Sequence, residues 1–175
     1  MFVIHFVGDL HQPLHAVTNN DRGGNCVPVS FFTQEPKESV TGESFRPNLH
    51  GVWDTDLLER VDKDHDAARF ANEISSQFQT AMNSWKQQPI NLDDWAWESH
   101  QLAESTVYGD LPEKIPVETP APIESCADDN HVAKRLYQLH EKIDERYLTD
   151  ASPVIRQQLA RAGTRLAMLL NQIWP

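Results

Sequence analysis

Residues 1–15, MFVIHFVGDLHQPLH, place titratable groups inside an otherwise apolar helical run, and the reading of the fold starts there. Phe2, Val3, Ile4, Phe6, Val7 and Leu10 surround His5 and Asp9. An ionised aspartate in such surroundings is costly unless it is paired or bound to a metal. His5 and Asp9 stand four apart, so on a helix they lie one turn up the same face, about 40° apart, and both can reach one cation. Gly8 costs about 1 kcal/mol against alanine inside a helix, which predicts that a backbone or a ligand approaches it. Pro13 must end or kink the helix, because its ring clashes with the carbonyl four residues back. That break frees His15 from the His5/Asp9 face and makes room for a second site.

The pattern returns in residues 48–61, NLHGVWDTDLLERV, where His50 and Asp54 are again four apart and Asp54 shares a helical face with Leu57, Leu58 and Val61. With 8 His in a chain of 175 residues, chance placement gives roughly 0.6 such pairs, so a lone pair would carry little meaning. A third pair, His140 and Asp144, lies in the charged stretch LHEKIDERY and reads as a solvated face. For the first two, a hydrogen-bonded His–Asp pair in a core is the alternative to a metal site. Imidazole nitrogen and carboxylate oxygen are donors that suit zinc.

The blocks HFVGDLHQPLHA, DRGGN and NLHGVWDTDLL, in that order, resemble the zinc-dependent S1/P1 nuclease family of fungal single-strand nucleases, plant bifunctional nucleases and bacterial homologues. The resemblance extends more loosely through DDWAWESHQLAESTVYG and QLARAGTRLAMLLNQIW, and so over essentially the whole chain. It implies a phospholipase C/nuclease-like helical fold and a hydrolase that degrades single-stranded DNA and RNA as an endonuclease, with 3′-nucleotidase activity besides. Carried over residue by residue, it makes His5 and Asp9 ligands of a close zinc pair, with Asp9 bridging as the catalytic carboxylate. His15, His50 and Asp54 form the third zinc site. In the family the paired ions activate a shared water for in-line attack on phosphorus, and the third ion stabilises the departing 3′ oxygen, leaving 5′-phosphorylated products. Members complete the pair with an amino-terminal tryptophan, two histidines and an aspartate ahead of the first block. The expectation is therefore a single domain, 1–175, N-terminally truncated, with one complete zinc site and an incomplete pair. Zinc-dependent phospholipases C share fold and metals with the family and supply one alternative; a truncated, catalytically impaired metal-binding remnant supplies another.

Bulk properties fit one domain of this size. The net charge of −11 argues against binding nucleic acid through a basic surface, because such affinity needs clustered Lys and Arg to replace counterions. Bound zinc escapes the objection by bringing positive charge to the site itself. No apolar run reaches the roughly 20 residues needed to span a membrane. The apolar start lacks a basic leader and a cleavage site, so it does not read as a signal peptide. Secretion or a periplasmic location is what the resemblance implies. No obligate protein partner is evident. Cys26 and Cys126 could pair in an exported protein, although spacing alone does not show that they meet.

The remaining chain reads as helices with one small β-ribbon. The turn-rich AVTNNDRGGNC (16–26) lies at the edge of the active site by resemblance, with Arg22 as a substrate-binding candidate. VPVSFF (27–32) is the strand candidate, and 33–47 reads as a surface loop. Asn48 can cap the helix of His50 and Asp54, or orient a ligand or a phosphate. Further helices are expected over 64–86, from Asn91 to about 108, over 131–147, and from Ser152, with Pro153 in its first turn, to Trp174. The proline-spaced 109–129 reads as extended surface chain. Trp95 and Trp97 could stack bases, but on a buried helix such residues more often fill the core.

Overall fold

The computed structural model describes residues 2–40, 44–115, 117, 125–126 and 141–174. The apolar opening forms helix α1 (Phe2–Leu10). A short 3-10 helix (Pro13–Ala16) follows, with Pro13 at its start, where a missing N–H costs nothing. Strand β1 is Ser30–Phe31. Strands β2 (Lys37–Glu38) and β3 (Phe45–Arg46) pair antiparallel, Lys37 opposite Arg46. Next come α2 (Leu49–Gly51), a π-helical turn (Val52–Asp56) and α3 (Leu57–Val61). Helices α4 (Ala67–Gln77), α5 (Gln79–Trp85) and α6 (Leu92–Leu102) lead to a second π turn (Ala103–Val107). Strand β4 (Lys142–Ile143) precedes the long α7 (Glu145–Ile173). The mainly helical architecture with small β elements is the expected one.

Helix α7 is the spine, in contact with α1, α3, α4 and α5. Leu49, Val52, Leu57, Val107 and Ile143 are fully buried in one core cluster with Tyr147, Ala151 and Ile155 of α7. Trp53 donates to the Tyr147 hydroxyl at 2.8 Å, which donates to the Val107 carbonyl at 2.7 Å, so the indole and the phenol enter the core with their polar atoms satisfied. Cys26 and Cys126 form a disulfide, Cα atoms 5.2 Å apart across 100 residues of sequence. Among the described residues no helix is long and apolar enough to cross a membrane.

Several local expectations are corrected. The 33–47 segment, read as loop, carries the β2–β3 ribbon. The strand candidate 27–32 contributes only Ser30–Phe31, and its partner is not a hairpin neighbour: β1 pairs in parallel with β4, Ser30 opposite Lys142. That partner comes from 131–147, read as helix, of which 131–140 lie outside the described residues. The helix expected over 64–86 starts at Ala67, capped by the Asp66 carboxylate, and breaks at Phe78 (φ −103°, ψ 13°), whose ring stacks on Trp85. Ser152 caps nothing; α7 starts at Glu145 with the Asp144 carboxylate accepting from the Arg146 and Tyr147 N–H groups. Pro153 sits inside α7 on its exposed face, where the Thr149 carbonyl left without an N–H is open to solvent. Much of 109–129 also lies outside the described residues. Trp95 is core, with the Arg165 guanidinium over its ring, whereas Trp97 is 58% exposed and stacks on His100. Helix α1 buries only Val7 fully; Phe2 and Phe6 are 73% and 62% exposed.

Candidate metal centre

Three short segments meet at the C-terminal end of α1: the 3-10 helix that carries His15, α2 with His50, and the π turn with Asp54. One ligand atom from each of His15, His50 and Asp54 lies within 4.8 Å of the others. His15 Nε2 is 3.3 Å from Asp54 Oδ1, and His50 Nε2 is 3.3 Å from Asp54 Oδ2. A π turn adds a residue to the helical repeat, and such turns recur at functional sites.

His50 is aimed from behind. Its Nδ1–H donates to the Gly23 carbonyl at 2.7 Å, which fixes the tautomer and turns Nε2 toward Asp54. Gly23 can take that place because it lacks a side chain: at φ +61°, a Cβ would sit 2.4 Å from the Leu14 carbonyl oxygen. Below the turn, the fully buried Asp21 accepts from the Tyr108 hydroxyl at 2.7 Å and from the Asn19 N–H at 3.1 Å. The Asp54 hydrogen bond raises the pKa of His50 above its ordinary value. Burial pushes the Asp54 carboxyl up, but hydrogen bonds from His50 and Gln12 and the nearby imidazoles outweigh it and hold the pKa down to about 2. The carboxylate is therefore charged throughout the neutral range, and one ring nitrogen of each imidazole stands 3.3 Å from it.

His5 and Asp9 pair on α1 at 3.1 Å, and Asp9 Oδ2 stands 4.0 Å from His15 Nδ1. Asp9 thus links the α1 pair to the triad, and it lines a cavity of about 390 Å³ together with Asp54, Trp53, Leu58 and Ile155. Gly8 lines the same cavity, and a Cβ there would meet nothing within 4 Å, so the close approach expected at Gly8 is absent among the described residues.

Arg22, in the turn between Asp21 and Gly23, is exposed with φ +56°. Asn48 is nearly buried, and its amide is engaged at both ends: Oδ1 accepts from the Gly51 N–H at 2.8 Å and Nδ2 donates to the Phe45 carbonyl at 2.8 Å. Asp144 caps α7, and His140 lies outside the described residues. The sequence reading passed over Gln12, which reaches Asp54. The available signal was Pro13: the residue before a proline is driven extended, and Gln12 at ψ 117° swings its side chain out of the helix track.

A family model for the S1/P1 nucleases matches residues 1–175. Endonuclease 2 of Arabidopsis thaliana is 25% identical over 174 residues, 99% of this chain and 51% of that protein. Endonuclease 4 of the same plant is 28% identical over 99% of this chain and 50% of its own length. Nuclease S1 of Aspergillus oryzae (strain ATCC 42149 / RIB 40) is 27% identical over 98% of this chain and 53% of its own length. The chain spans about half the length of the curated relatives it matches. With the family model covering every residue, the chain belongs to the S1/P1 nuclease family.

Proposed function

We propose that this chain carries a zinc site of a hydrolase that cleaves single-stranded DNA and RNA as an endonuclease, with 3′-nucleotidase activity and 5′-phosphorylated products. The observation that carries the reading is the convergence of His15, His50 and Asp54 within 4.8 Å from three separate segments. The donor set fits the ion: two imidazole nitrogens and an ionised carboxylate, on a partly exposed floor that leaves a coordination position for substrate. When bound there, zinc supplies Lewis-acid stabilisation of phosphate oxygen.

The chain's own residues divide the remaining work. The Gly23 carbonyl holds the His50 ring in place, and Asp54 stays ionised. Asp9, 3.1 Å from His5 and 4.0 Å from His15, would supply a carboxylate ligand to an adjoining metal. Arg22, an exposed cation on the turn that anchors His50, is available to a phosphate. With a net charge of −11, affinity for nucleic acid must be local to this site rather than spread over a basic face. The Cys26–Cys126 disulfide supports secretion or a periplasmic location, since such bonds persist in oxidising compartments.

Zinc content by elemental analysis is expected to be about one tightly held ion per chain, because three converging ligands hold zinc more securely than the two of His5 and Asp9. His50→Ala should remove that ion and, with it, hydrolysis of single-stranded DNA; a phospholipid substrate should not be cleaved by either form. Unchanged zinc in the variant would overturn the assignment.

A further inference from the structure

We infer that Gln12 is the positioning residue of the metal centre: it holds the Asp54 carboxylate in aim and ties that carboxylate to the two segments that carry Asp9 and His15. This rests on the zinc reading of the site.

All four polar atoms of Gln12 bond to these segments or to Asp54. Its N–H donates to the Asp9 carbonyl at 3.0 Å, and its carbonyl accepts from the His15 N–H at 3.0 Å. Its side-chain Oε1 accepts from the Leu14 N–H, capping the 3-10 helix that carries His15. Its Nε2 donates to Asp54 Oδ1 at 2.7 Å, across 42 residues of sequence. The orientation of the amide is unambiguous, because the Leu14 N–H needs an acceptor and the Asp54 carboxylate needs a donor.

Two contrasts give this contact its weight. Both imidazoles stand 3.3 Å from Asp54, long for hydrogen bonds, and each would turn its Nε2 lone pair to a cation. Gln12 makes the shorter contact and is not itself a ligand, so its hold persists when the imidazoles are engaged elsewhere. The amide is also neutral: it occupies one lone pair of Oδ1 and leaves the carboxylate charge, which a Lys or Arg at this place would cancel. The backbone leading into Gln12 is fixed from below by buried groups. Ser99 donates to the Leu10 carbonyl at 2.6 Å, and Gln158 donates to the His11 carbonyl at 3.0 Å. Both side chains come from the packed interior, so Gln12 reaches Asp54 from a rigid base.

The test is a set of variants in the full chain, read by zinc affinity in chelator competition and by the visible absorption of bound Co2+. Gln12→Met keeps the length of the side chain and removes both of its hydrogen bonds. Partners that orient ligands are worth about 10- to 100-fold in metal affinity, and a loss of that size is expected, with one ion still bound per chain, an altered Co2+ spectrum and a melting temperature of the metal-free chain lower by no more than the few degrees that the lost Leu14 cap costs. Gln12→Asn, one methylene short, should weaken binding in the same direction and decides the matter if Gln12→Met does not fold. Because Gln12 acts through Asp54, Gln12→Met should cost less than about twofold further in an Asp54→Ala background. Unchanged affinity and spectrum in both Gln12 variants, with His50-dependent zinc in the wild type, would overturn this inference alone. An equal loss in the Asp54→Ala background would reduce Gln12 to a helix cap and overturn it as well. Zinc that does not depend on His50 would overturn both this inference and the reading beneath it.

Discussion

Asp54 and Glu141 are both carboxyls in partly or fully dry surroundings, and their neighbours send them in opposite directions. Asp54 has donors on both oxygens and is held down to about 2. Glu141 is fully buried; its Oε2 accepts a long 3.4 Å bond from the Glu113 N–H, its Oε1 has no partner among the described residues, and burial drives its pKa from 4.5 to about 7, with the Glu113 charge adding to the rise. Between those two values the folded chain keeps a proton that the unfolded chain has released, so stability falls as pH rises from 4.5 and the cost is complete above 7. Glu141→Gln should remove that fall, and urea unfolding at pH 8 should show a gain of about 3 kcal/mol with little change near pH 4. Parallel pH profiles for the two proteins would refute it. Nothing in LHEKIDERY announces this residue, since a run of charges reads as a solvated face. Glu141 is buried because the next two residues are a strand laid against Ser30–Phe31, a pairing across the chain that local periodicity does not encode. His5, Asp9, His50 and Asp54 were legible as candidates for the opposite reason: a four-residue spacing in apolar context is a local signal, and His15 came with the HQPLH block after the Pro13 break. Gln12 was legible only as an extended residue ahead of Pro13, because its role exists only once Asp54 is brought beside it.

Among the elements, those fixed by covalent or nearest-neighbour chemistry were readable. Pro13 places the end of α1, and Asn91 caps α6 as expected, its Oδ1 accepting from the Asp93 and Asp94 N–H groups. What failed was competition between signals. Pro153 suggested a helix start, but the Asp144 cap lies upstream of it and the exposed position lets α7 run through the proline. The Phe78 interruption coincides with its ring stacking on Trp85, and the two π turns carry Asp54 and Val107; neither feature shows in the 3.6-residue pattern. Asn48 joins element to site: its Oδ1 satisfies an orphan N–H at the start of α2, and its Nδ2 fastens that start to Phe45 in β3. Asn48→Ala should therefore cost about 1–2 kcal/mol in urea unfolding. Asn48→Asp, which keeps the acceptor and loses the donor, should recover part of that. If Asn48→Ala leaves stability unchanged, the cap is not what the residue is for, and its candidacy for substrate binding gains.

For the whole molecule, the disulfide is the longest covalent constraint described, closing a loop across 100 residues between the turn after the 3-10 helix and Cys126. Both cysteines are nearly fully buried, so the bridge is a packed part of the core. In the chain-entropy account, a closed loop of this size removes about 4–5 kcal/mol of freedom from the unfolded state, and removal of native bridges costs about 2–5 kcal/mol. A small acidic domain with part of its apolar α1 surface exposed has little stability to spare, since ordinary domains hold only about 5–15 kcal/mol in all. Cys26→Ser with Cys126→Ser should accordingly lower the melting temperature by roughly 10 °C, at the 2–4 °C per kcal/mol expected for a chain near this length. The same bridge stands beside the turn whose Gly23 carbonyl anchors His50, through the Cys26 N–H bonded to the Asp21 carbonyl at 2.9 Å. The hydrogen bonds that hold Gly23 and His50 do not pass through sulfur, so at a temperature where the double variant is folded its zinc content should match that of the wild type. A melting temperature unchanged within about 2 °C would mean that the unfolded chain is constrained by something other than this bond.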